Sequence, residues 1–135
     1  MLDVVINGKA VVVAGLAAAI IGAVWYSKIF LGSVWQKAVR LKDKDMKKGS
    51  TKSMIGGIVL NLLAAYVLAH FVAYAQATTW WDGATTGFWV WLGFVFTVLL
   101  TNTIFAQRGK KLFLINAGYQ LVALLVMGAI LGAWA

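Results

Sequence analysis

Gln36 to Lys52 reads QKAVRLKDKDMKKGSTK, the one long polar interruption in a chain that is otherwise almost continuously apolar. Lys37, Arg40, Lys42, Lys44, Lys47, Lys48 and Lys52 stand there against Asp43 and Asp45, seven cations to two anions. So dense a basic cluster between hydrophobic spans is not translocated. It predicts a cytoplasmic connector, and it sets the direction of every segment on either side.

Outside this stretch the composition is that of a membrane chain. Of 135 residues 62% are hydrophobic and 12% charged, proline is absent, and the mean hydropathy is +0.86. A soluble domain of this length needs more polar surface than that. The length accommodates four spans of roughly 20 residues each with short connections. Cysteine is absent, which removes disulfides, thiolate metal sites and thiol nucleophiles.

The net charge of +8 lies beside the spans, where topology and attraction to anionic lipid account for it, so nucleic acid is not an expected partner. The first apolar run, from Ala10, follows only Asp3 and Lys9 and ends in Trp25-Tyr26-Ser27-Lys28. It lacks a basic leader and a small-residue cleavage site, and reads as a span rather than a cleavable signal peptide.

Four spans follow, at about 10–30, 53–75, 86–105 and 112–134, forming one membrane domain. Ala14, Ala18 and Gly22 form a small-residue stripe on the first span, and Gly128 and Gly132 a GxxxG pair on the fourth. Such faces let helices approach closely in lipid, and on a bundle this small they suggest a homo-oligomer. Between the first two spans lies 31–52. It opens as an amphipathic piece, with Leu31, Val34, Trp35 and Ala38 on one face and Gln36, Lys37 and Arg40 on another. Lys37, Arg40, Lys44 and Lys48 are its candidate contacts to anionic lipid headgroups. Gln76 to Thr85 is expected to be a loop.

With the connector inside, four spans put both termini outside. Positive residues then divide eleven inside to one, Lys9, outside. Tryptophans agree: 25 and 35 fall near the inner boundary, and 80, 81, 89, 91 and 134 near the outer one. The expected fold is an all-α integral membrane bundle of four helices with cytoplasmic basic loops.

Depth along the helices, at about 1.5 Å per residue, gathers polar groups in the cytoplasmic half. Asn61, Asn102, Asn116, Tyr119 and Gln120 lie there, with Tyr26 at the inner end of the first span. The spacing of 116, 119 and 120 puts those three on one face. They form either a ligand vestibule open to the cytoplasm or hydrogen-bonding glue between helices, and both readings stay open.

Tyr66, His70 and Tyr74 make a second stripe in the outer half. His70 reads there as a neutral ring bonded to a flanking group, with proton relay the sharper alternative. One histidine cannot supply a zinc site, so no metal is expected. No Asp or Glu lies within a span, and the sequence holds no Ser-His-Asp set, phosphate-cradling glycine loop or HExxH motif. An enzyme is therefore not the expected class, a cofactor-dependent one stays open, and the sequence leaves any cofactor unassigned.

Several stretches carry a family resemblance. They are Gly87-Phe88-Trp89-Val90-Trp91-Leu92-Gly93-Phe94, then Asn102, then the run KLFLINAGY from Lys111 to Tyr119 and Met127-Gly128-Ala129-Ile130-Leu131. Gly22-Ala23-Val24-Trp25-Tyr26-Ser27 and Trp35 add to it. Together these resemble a family of small bacterial four-span membrane proteins, domain of unknown function 1761. The resemblance covers most of the chain apart from the basic connector. It implies four spans in a bacterial inner membrane and transfers no catalytic residues.

Two functions fit. One is a small-solute permease or binding protein built on the polar vestibule. The other is a non-catalytic membrane subunit that organises a partner protein or anionic lipid.

Overall fold

The computed structural model describes residues 4–27, 29–39, 50–107 and 109–135. All regular structure among them is helical. The helices are α1 (Gly8–Trp25), α2 (Gly32–Val39), α3 (Ser50–Tyr74), α4 (Trp80–Phe105) and α5 (Lys110–Ala133). All except α2 are long and apolar enough to cross a membrane.

The helix ends follow local chemistry. Asn7 caps α1, its side chain accepting from the backbone N–H of Lys9 at 3.1 Å and of Ala10 at 3.3 Å. After Trp25 the chain turns tightly, with the Gly32 N–H on the Ser27 carbonyl at 2.7 Å. A Cβ on Gly32 would collide with the Tyr26 and Ser27 carbonyls, so the turn into α2 requires glycine.

α3 closes through Gln76 in the left-handed region (φ 56) and a bond from the Ala77 N–H to the Val72 carbonyl at 3.0 Å. The expected loop from Gln76 to Thr85 is shorter than the sequence suggested, because helix resumes at Trp80. Thr79 caps it, accepting from the Asp82 N–H at 3.1 Å, and Asp82 adds its charge to the first turn.

α5 is the central rod. It packs most extensively on the first half of α4 and next on α1, while α3 leans chiefly on α1. The α4–α5 contact is a crossing of two glycine pairs. A Cβ on Gly83 would overlap the Gly128 carbonyl oxygen, and one on Gly87 would overlap that of Leu124. Gly132 is pressed equally closely on the Thr79 carbonyl. Against α1, Gly15 receives Leu62 from α3, and a Cβ on Gly22 would stand 3.0 Å from the Tyr119 hydroxyl of α5. The small-residue faces of the first and fourth spans thus pack within the chain, and a homo-oligomer would have to use other surfaces. Ala14, Ala18, Ala65, Ala123 and Met127 fill the centre. Leu60, Leu63, Phe94, Val98 and Leu114 point outward, as lipid-facing side chains do.

α4 changes course midway. Trp91–Phe96 is a π-helical stretch, and no residue from Trp91 to Phe105 is buried. Trp91, Phe96 and Phe113 form an aromatic wedge there, with ring centroids 5.2 and 5.7 Å apart along the series. Beyond the wedge α4 leaves α5, and a cleft opens at that end of the bundle.

Candidate functional site

The cleft has a volume of ≈ 360 Å³. Its walls are Trp35 and Val39 of α2, Leu99 and Asn102 of the diverging half of α4, and Leu112, Phe113 and Asn116 of α5. Two carboxamides, from different helices, therefore face one space between apolar and aromatic walls. Thr103 also lines the cleft, but its hydroxyl is committed to the Leu99 carbonyl at 2.8 Å.

Asn116 is held from behind. The Tyr26 hydroxyl donates to Asn116 Oδ1 at 2.7 Å, joining the end of α1 to α5. The Tyr26 ring stands edge-on to Trp35 at 5.7 Å and to Tyr119 at 5.5 Å. Two tryptophans brace the same part of α5. Trp25 Nε1 donates to the Ile115 carbonyl and Trp91 Nε1 to the Ala117 carbonyl, each at 3.0 Å. The Asn116 backbone is thus fixed from both flanks, and one of its amide atoms is left for the cleft.

Asn61 and Tyr119 form a separate, inward-turned pair. The Tyr119 hydroxyl donates to the Ala18 carbonyl at 2.9 Å and lies 3.4 Å from Asn61 Oδ1. Asn61 Nδ2 donates to the Gly57 carbonyl at 2.9 Å. These groups join α1, α3 and α5 and meet one another's hydrogen-bonding needs. Gln120 is half-buried and is not among the cleft's lining residues. The structure brings Asn102 and Asn116 together, links Tyr26 to them, and sets Asn61 with Tyr119 apart.

Tyr66, His70 and Tyr74 lie along α3, with Tyr66 and Tyr74 both exposed. His70 Nδ1 sits 2.9 Å from the Tyr66 carbonyl, which can only accept, so Nδ1 carries the hydrogen. The imidazole stacks edge-on against Tyr66 at 4.8 Å. Lys37 lines a second groove of ≈ 380 Å³ on the other flank of α2, together with Ser33, Val34, Ala38 and Lys111. Arg40, Lys44 and Lys48 lie outside the described residues.

Sequence reasoning missed the bonds that the Trp25 and Trp91 indoles make to α5 and the place of Trp35 in the cleft wall. It also missed Gly83-xxx-Gly87, a second GxxxG pair that was visible in the sequence but straddled the boundary between the stretch read as loop and the third span.

Fold and cleft define a small, all-helical, multi-pass membrane protein with a polar-edged recess at one end. The chain belongs to the family described as protein of unknown function (DUF1761), which matches residues 9–132. No curated protein and no solved structure matches it.

Proposed function

We propose that the protein binds a small ligand, part polar and part apolar, in the cleft between α2, α4 and α5. The ligand enters from the cytoplasmic side of a bacterial inner membrane. The observation that carries this reading is the convergence of Asn102 and Asn116 on one ≈ 360 Å³ space walled by Trp35 and Phe113. That size lies in the range of roughly 300–1,000 Å³ typical of small-molecule sites, where a few polar groups set orientation within apolar walls. Two carboxamides offer donors and acceptors without charge, which suits an uncharged ligand edge carrying carbonyl, amide or hydroxyl groups.

Binding fits better than passage. Past Tyr119 the centre is occupied by Ala18, Ala123 and Met127, so a ligand leaves by the way it entered. The cytoplasmic placement rests on the eleven-to-one division of positive residues.

The test is thermal unfolding of purified protein against a metabolite collection, since a ligand that binds only the folded state raises the melting temperature. A hit should lose its effect in Asn102→Leu. A hit that stabilises Asn102→Leu as fully as wild type would overturn the site.

A second reading is a non-catalytic subunit that meets a partner through α3. It is favoured by the outward Tyr66–His70–Tyr74 stripe, an unusual set of polar groups for a lipid-facing surface. A photo-crosslinker at Tyr66 should then capture one protein of defined mass or a second copy of this chain. Capture of lipid alone defeats that reading.

A further inference from the structure

We infer that the groove between α2 and the first turn of α5 seats the phosphate of an anionic phospholipid, held between Lys37 and Lys111. The two lysines come from different elements and line the same ≈ 380 Å³ space. Asp82 is the only acidic side chain among the described residues. It lies at the opposite end of the bundle, next to the Gly83 that packs on Gly128. Two ammonium groups around one recess, far from that carboxylate, raise the local positive potential and favour an anionic occupant.

The remaining lining narrows the class of anion. Ser33 adds a hydroxyl donor of the kind that phosphate oxygens accept, while Val34 and Ala38 make the rest of the wall apolar. Lysine stems are themselves apolar up to the ammonium, so Lys37 and Lys111 add apolar wall to the recess as well as charge. A soluble phosphate gains nothing from Val34 and Ala38, whereas the glycerol and upper acyl carbons of a lipid do. α2 is a short amphipathic helix of the kind that lies in the headgroup plane. The groove is on the flank of α2 away from the carboxamide cleft, and its lipid does not depend on what that cleft binds.

The experiment is thermal unfolding in neutral detergent at roughly 0.15 M salt, where exposed lone charges are largely screened. Dioleoyl phosphatidylglycerol, dioleoyl phosphatidylcholine and inorganic phosphate are each titrated, and apparent affinity is read from the rise in melting temperature. Phosphatidylglycerol should stabilise the protein, and the other two should not. Lys37→Ala/Lys111→Ala should weaken the phosphatidylglycerol effect by roughly ten-fold or more, and Lys37→Arg/Lys111→Arg should keep it. Lys52→Ala/Lys110→Ala removes the same charge outside the groove and should leave the effect intact. An equal loss in both alanine pairs, or none in the groove pair, overturns the inference. So does equal protection by inorganic phosphate or by phosphatidylcholine.

Discussion

The Tyr26 hydroxyl reaches across 90 residues of sequence to Asn116 Oδ1 at 2.7 Å, where the chain leaves α1 and α5 has just begun. This bond aims a carboxamide at the cleft, and it closes the end of the bundle by tying the first helix to the last. Tyr26→Phe keeps the ring packed between Trp35 and Tyr119 and removes only the donor. It should cost about 0.5–1.5 kcal/mol, the worth of one hydrogen bond in this setting. In a double-mutant cycle with Asn116→Ala, measured by denaturant unfolding in detergent, the coupling should account for most of that loss. Additive single effects would show that the two groups do not act together.

The glycine crossing of α4 and α5 sets how close those helices come. At Gly83 an added methyl meets the Gly128 backbone, which cannot swing aside as a side chain can. Gly83→Ala and Gly128→Ala should each destabilise by about 1–3 kcal/mol or more. Gly93, in the π-helical stretch, has nothing within 4 Å of the position a Cβ would take. Gly93→Ala should leave stability unchanged or raise it by up to about 1 kcal/mol. Thermal unfolding of the three variants side by side checks the contrast, and a neutral Gly83→Ala would refute the close approach.

The four long helices were legible because each is an apolar run of membrane-spanning length, and nothing in tertiary structure has to be known to see that. The start of α4 was not, because Trp80-Trp81-Asp82-Gly83 carries loop-like residues. The cap that decides it is a single Thr79 side chain. The π-helical stretch left no mark, since WLGFVF is simply apolar and nothing in it signals a change of helical register. Depth along the helices placed Asn61, Asn102 and Asn116 in one half of the bundle. It did not give rotation about each axis, and rotation is what turns Asn61 inward to Tyr119 and Asn102 toward the cleft. Spacing linked Asn116 to Tyr119 but had no way to reveal that their partners would be Tyr26 and Ala18.

Asn102 and Asn116 line the same cleft but differ in what else they hold. Asn102 is exposed, whereas Asn116 is part-buried and bonded to Tyr26. Asn102→Leu should therefore change stability by less than about 0.5 kcal/mol, as exposed substitutions usually do. Asn116→Leu strands the Tyr26 hydroxyl and should cost about 1–3 kcal/mol. Both should abolish stabilisation by a cleft ligand. Unfolding with and without ligand separates the two effects, and an Asn102→Leu protein that is itself strongly destabilised would assign that side chain a structural role.

The direction of the bundle is testable because the chain has no cysteine, so any cysteine introduced is the sole label. Lys52 opens α3 near the basic connector, and Gln76 follows its far end. The basic connector precedes Lys52 in the sequence, and the topology proposed from its charge puts that end of the bundle in the cytoplasm. In intact cells a membrane-impermeant maleimide should label Gln76→Cys, and it should reach Lys52→Cys only after permeabilisation. The reverse pattern would move the carboxamide cleft and the Lys37–Lys111 groove to the outer leaflet. Labelling of both sites in intact cells would mean that the chain inserts both ways up, and an antiparallel pair of copies would then be required.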